Sequence, residues 1–141
     1  SYVLAAFWTC IMLARVLASR VLLRVPGHKV VLASAAGTAL GIVGVALAPS
    51  TPLAVAAILF TGIATSPVYP TVLGLAGTAF AEWSGTVFGI LFSIALVGGM
   101  LVPWALGHLA EAQGMRTGLV LPFACAAGIF VLQSMIARRR A

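Results

Sequence analysis

Long apolar runs separated by short polar breaks dominate the chain, without the two-residue alternation of half-buried strands. The runs cover residues 2–23, 30–48, 53–78, 84–109 and 119–137. The breaks fall where Pro, Gly and charge collect. They are Arg24-Val25-Pro26-Gly27-His28-Lys29, Pro49-Ser50-Thr51-Pro52, the neighbourhood of Glu82 and Trp83, and Glu111 to Gly118. A helix rises ~1.5 Å per residue, so the run 30–48 is roughly 28 Å long, close to a bilayer core. In lipid, backbone groups need partners within their own segment, and barrel strands would alternate polar and apolar residues. The pattern predicts an all-α integral membrane protein with five transmembrane helices.

Composition supports this. Of 141 residues, 62% are hydrophobic and 7% charged, against about 45–50% and about 25% in soluble domains. A soluble enzyme, a disordered tail and a nucleic-acid-binding module are thereby disfavoured. The net charge of +6 sits in short clusters between apolar runs, which reads as a topology signal. Five spans put Arg20, Arg24, Lys29, Arg138, Arg139 and Arg140 on one side and Arg116 on the other. The positive-inside rule makes the richer side cytoplasmic, in the cell (inner or plasma) membrane. The first residue is then outside and the last inside. The chain enters its first apolar run at Ser1 with no basic leader, so the expectation is no signal peptide and a fragment of a longer protein. Cys10 and Cys125 lie in different runs and read as lipid-facing or packing thiols.

Polar residues inside the runs are the informative ones. Arg15 lies about eight residues, or ~12 Å, from the cytoplasmic end of the first helix. Trp8, Met12, Arg15 and Ser19 share a face there. Arg15 either lines a cavity and binds polar substrate, or snorkels to the cytoplasm and meets a helix end. In the third run Thr61, Thr65 and Tyr69 form a stripe, with Ser66 beside it. Pro67 and Pro70 each remove an N–H, which frees the carbonyls of Ile63 and Ser66. A broken mid-membrane helix is a binding-site device in transporters. The alternative is a kink satisfied by neighbours. The fourth run carries Gly85, Gly89 and Ser93 on one face, then Gly98, Gly99 and Pro103 as a candidate bend. Gly85 and Gly89 read as packing positions, and Trp104 as a belt residue or a ligand-stacking one. The second run offers Ser34 and Thr38 as its inner polar residues and Gly37, Gly41 and Gly44 as a packing face. It and the fifth read as peripheral.

Catalytic chemistry has no visible machinery. The only acids are Glu82 and Glu111, both at loops. His28 and His108 fall at opposite ends and cannot share a metal. No cofactor is expected, and no proton carrier is seen at mid-membrane. Glu82 is a candidate cytoplasmic latch with Arg20, Arg24 or Lys29.

The stretch Ser19-Arg20-Val21-Leu22-Leu23-Arg24-Val25-Pro26-Gly27-His28-Lys29 resembles the loop signature G-x-x-x-D-R-x-G-x-R-[RK] of the major facilitator superfamily. Arg20, Arg24 and Lys29 fit; Ser19, Leu23, Pro26 and His28 depart from it. Gly62 to Thr71 resembles the tenth helix of the fucose permease-like sugar–proton symporters, and Val97 to Gly107 the eleventh. The resemblance covers nearly the whole chain, as helices eight to twelve of a twelve-helix carrier. It implies alternating access and transport of a small sugar-like solute, as a proton symporter, in partnership with a missing N-terminal half. Trp8, Arg15, Thr65, Ser66, Tyr69 and Ser93 are the candidate substrate contacts. Pro67, Pro70, Gly98, Gly99 and Pro103 are the candidate hinge positions. The rival readings are an exporter of the same superfamily and a non-transporting membrane subunit or scaffold.

Overall fold

The computed structural model describes residues 2–139, apart from the side chains at positions 3, 21 and 139. Arg140, counted above in the charge asymmetry, lies outside the described residues. The helices are α1 (Tyr2–Val21), α2 (Gly27–Leu47), α3 (Thr51–Thr65), α4 (Val68–Ala79), α5 (Ser84–Gln113), α6 (Met115–Gly118) and α7 (Val120–Arg139), with a 3-10 turn at Ala81–Trp83. Among the described residues, four stretches are long and apolar enough to cross a membrane: Gly27–Leu47, Thr51–Ala79, Ala81–Gln113 and Met115–Arg138. The remaining long helix, α1, carries Arg15 and Arg20 and is not one of the four.

Helix ends depart from the expected run boundaries for local reasons. α2 starts at Gly27, not at residue 30, because Pro26 sits at its N-cap and its carbonyl accepts from Lys29 and Val30 N–H. The run 53–78 is two helices, since Pro67 cannot donate to the Ile63 carbonyl. α3 opens with Ser50 at the N-cap and Pro52 in its first turn, where a missing N–H costs nothing. α5 runs to Gln113, past the apolar limit at residue 109. It stops at Gly114, whose φ of 90° favours glycine, and the Gly114 N–H donates to the Ala110 carbonyl at 2.9 Å.

α2 is the helix on which the others pack. It lies against α3, α4 and α7, while α1 packs on α3, and α5 meets the short α6 that follows it and, less extensively, α4. The expectation that α2 is peripheral is therefore corrected. Its glycine row explains the change. A Cβ at Gly37 would sit 3.1 Å from the Ala64 Cβ, and one at Gly44 would sit 3.3 Å from the Ala57 Cβ. A Cβ at Gly41 would collide with the Thr61 hydroxyl and lie 3.1 Å from the Thr61 Cα. Backbones that approach this closely gain dispersion contacts, the main packing force between helices in lipid. The buried set is small-residue rich: Ala14, Ala18, Ala35 and Ala126 join Val30, Val31 and Ile42. Gly85 and Gly89, expected to pack, face open space. α5 leaves Ile90, Leu96, Val97, Met100 and Leu101 exposed.

The antiparallel course brings the start of α2, the end of α4 and the end of α7 together, and His28, Phe80 and Ala137 line one cavity there. Lys29 and Arg138 belong to this end, and Arg116 sits in α6 beyond the far end of α5.

Substituting Gly41→Val overpacks the α2–α3 contact. We expect a loss of about 1–3 kcal/mol, seen as a lower melting temperature in detergent. Gly89→Ala, with nothing near its new methyl, should leave the melt unchanged.

Candidate substrate-binding cleft

The α3–α4 break is built by two consecutive residues. Ser66 and Pro67 both keep right-handed helical dihedrals, so the chain turns without unwinding. The carbonyl of Ile63, which Pro67 cannot reach, accepts from the Ser66 hydroxyl at 2.9 Å. Ser66 is 4% exposed, so this bond is made away from bulk solvent. Past the break the Thr71 N–H donates to the Pro67 carbonyl at 3.1 Å, and α4 resumes.

The break opens onto a cleft of about 570 Å³ between α1, α3, α4 and α5. Trp8 and Arg15 come from α1, Thr61 and Thr65 from α3, Tyr69 from α4, and Ser66 from the turn between. Leu91, Ile94 and Ala95 of α5 close one side with apolar surface. Five of the six candidate contacts thus share one cavity. Ser93 does not: it donates to the Gly89 carbonyl at 2.8 Å, on an exposed face of α5. On α1 the wall runs through Phe7, Trp8, Ile11 and Arg15, so Met12 and Ser19 of the expected face stand outside it. Ser19 instead donates to the Val16 carbonyl at 2.7 Å.

Ring packing shapes the walls. Trp8 meets Phe7 edge-on at 6.1 Å between centroids, and Phe7 fits over Gly62, where a Cβ would come within 2.6 Å of its ring. Tyr69 meets Phe92 of α5 edge-on, also at 6.1 Å. That contact ties α4 to α5 across the cleft mouth.

The hydroxyls along the wall are engaged. Thr61 donates to the Ala57 carbonyl at 2.7 Å. Thr65 pairs instead with Thr38 of α2 at 2.8 Å, and Thr38 also bonds the Ser34 carbonyl at 2.8 Å. Thr38 is named by the sequence as an inner polar residue of its run but not as a site residue, because its partner is 27 positions away. A second cavity, of about 660 Å³, shares Thr61 and Thr65 with the first and includes Thr38 and Cys125; both cavities are lined mostly by apolar surface.

The other predicted positions fall elsewhere. Pro67 forms the break, and Pro70 lies in the first turn of α4. α5 is continuous through Gly98, Gly99 and Pro103, with open space beside both glycines. Glu82 is exposed in the 3-10 turn, at the end of the fold that holds Arg20, Arg24 and Lys29. Trp104, exposed near the far end of α5, lies 4.5 Å from His108 between ring centroids. Among the described residues, no three His, Cys, Asp or Glu side chains gather as metal ligands.

Two curated proteins resemble this chain. They are the glucose/galactose transporters of Brucella abortus biovar 1 (strain 9-941) and of Brucella abortus (strain 2308). Each is 30% identical over 125 residues, covering 89% of this chain. The chain spans about 30% of the length of these relatives. No family model matches, and no solved structure matches.

The Ser66 bond generates a coupled prediction. Ser66→Ala leaves the Ile63 carbonyl unpaired and should cost about 1–3 kcal/mol of stability. Pro67→Ala supplies the missing N–H, so the double variant should recover most of the loss. A double-mutant cycle of detergent melts checks this. With its apolar helices and its resemblance to transporters, the chain is a multi-pass membrane protein.

Proposed function

We propose that the chain is the C-terminal part of a sugar carrier of the major facilitator superfamily, comprising helices eight to twelve with α1 as the eighth. The cleft carries this reading. An Arg, an indole, a phenol and three hydroxyls meet in one cavity among otherwise apolar helices, at a proline break. Polar groups placed in lipid at such cost face a water-filled path or a ligand. An apolar wall from α5 and an aromatic from α1 suit the two faces of a pyranose ring, and hydrogen-bonding groups suit its rim. The relatives carry the name glucose/galactose transporter, which favours this reading over an exporter or a scaffold and makes the protein a non-enzyme.

The same geometry supports a mechanism. Arg15 donates to sugar oxygens, Trp8 stacks, and Thr65, Ser66 and Tyr69 hold the opposite edge. α4 pivots on Ser66–Pro67 while α3 stays clamped to α2. The missing N-terminal half closes the cavity and supplies the proton-carrying acid of a symporter. The end holding Arg20, Arg24, Lys29 and Arg138 faces the cytoplasm, and Glu82 latches it to one of those cations in one state.

Uptake of radiolabelled galactose by the full-length carrier in whole cells tests this reading. Arg15→Ala and Tyr69→Phe should each lower uptake about tenfold or more at unchanged expression, the size of one or two lost hydrogen bonds to a bound ligand. Full uptake in both variants would remove the cleft from the pathway.

A further inference from the structure

A hydroxyl has one proton to give, and in this cleft the destinations can be followed. Thr61 spends its proton on the Ala57 carbonyl, and Ser66 spends its own on the Ile63 carbonyl. Thr38 spends its proton on the Ser34 carbonyl, because a carbonyl can only accept. The contact between Thr38 and Thr65 then has one possible direction: Thr65 donates and Thr38 accepts. Every hydroxyl of α3 and its C-terminal turn that borders the cleft therefore shows it lone pairs only. On the facing wall, the guanidinium of Arg15 can only donate.

We infer that the cleft is polarised into an accepting α3 wall and a donating α1 wall, and that Thr38 on α2 is the positioning residue that turns Thr65 into an acceptor. The ligand must then present an O–H donor to α3 and an acceptor to α1. A neutral polyhydroxylated solute does both. A carboxylate or phosphate, which only accepts, meets repelling lone pairs along α3. The inference rests on the sugar-carrier reading and adds to it a direction for each hydrogen bond.

Deoxy and deoxyfluoro sugars separate the two directions, since fluorine accepts weakly and never donates. The experiment measures competition by each deoxy- and deoxyfluoro-galactose against labelled galactose on the full-length carrier. At the sugar hydroxyl facing Thr65, both analogues should bind about two- to tenfold more weakly than galactose, the loss of one neutral hydrogen bond, with a ratio between them near one. Thr65→Val identifies that hydroxyl, because there the deoxy penalty disappears. Thr38→Val frees the Thr65 proton, and the deoxyfluoro analogue should then bind severalfold better than the deoxy analogue. Thr38→Ser, which keeps both bonds, should restore the ratio of one. A merely structural role for Thr38 would weaken all the sugars alike.

Fluorine rescue at every position of the unmutated carrier overturns the polarity, and so does an unchanged deoxy penalty at every position in Thr65→Val. An unchanged ratio in a galactose-binding Thr38→Val overturns the role of Thr38. Should Thr38→Val fail to fold, the wild-type series and Thr65→Val still decide the polarity. No binding of galactose or glucose at all would overturn the carrier reading itself, an outcome distinct from binding with full fluorine rescue.

Discussion

One hydrogen bond lets the third membrane segment break where it does. Inside a bilayer a carbonyl without a partner costs several kcal/mol, because no water is at hand to take its place. Pro67 creates such a carbonyl at Ile63, and the neighbouring Ser66 hydroxyl satisfies it within the same turn. The chain can then change helix without leaving the Ile63 carbonyl an orphan in lipid. Thr61 and Thr65 end up at the last turns of α3, Tyr69 at the first turn of α4, and all three line one cleft.

A second constraint holds α3 against α2. The glycine row of α2 admits the α3 backbone so closely that a single added methyl at Gly41 would strike Thr61. The same proximity lets Thr38 reach Thr65. Packing and site chemistry are thus joined on one interface. α5 touches the preceding helices through α4 and the Tyr69–Phe92 ring contact, and its exposed apolar side chains suit lipid or further helices.

The sequence made some of this legible and hid the rest for a physical reason. Apolar runs announce membrane helices because lipid imposes the same demand on every segment. Pro67 and Pro70 marked the break, and Gly37, Gly41 and Gly44 marked a packing face. Which helix lies at the centre was hidden, since in a membrane the inward and outward faces are both apolar and periodicity loses its contrast. This is why α2 was misplaced and why Ser93 was grouped with a cavity it does not line. Helix ends were misjudged for a related reason: hydropathy marks the membrane limit, but α5 continues until Gly114 permits the turn. The Thr38–Thr65 pair spans 27 residues and two helices, and no local pattern encodes it.

The central claim is that the polar side chains at the proline break face a ligand-accessible aqueous cleft. Thiol accessibility tests it most directly. In the full-length protein with Cys10 and Cys125 replaced by Ala, single substitutions Thr65→Cys, Tyr69→Cys and Ser93→Cys are treated with a membrane-impermeant, charged thiol reagent. Modification at positions 65 and 69, slowed by galactose, together with an inert position 93, is the predicted result. Inert thiols at 65 and 69, or modification indifferent to galactose, would contradict the account.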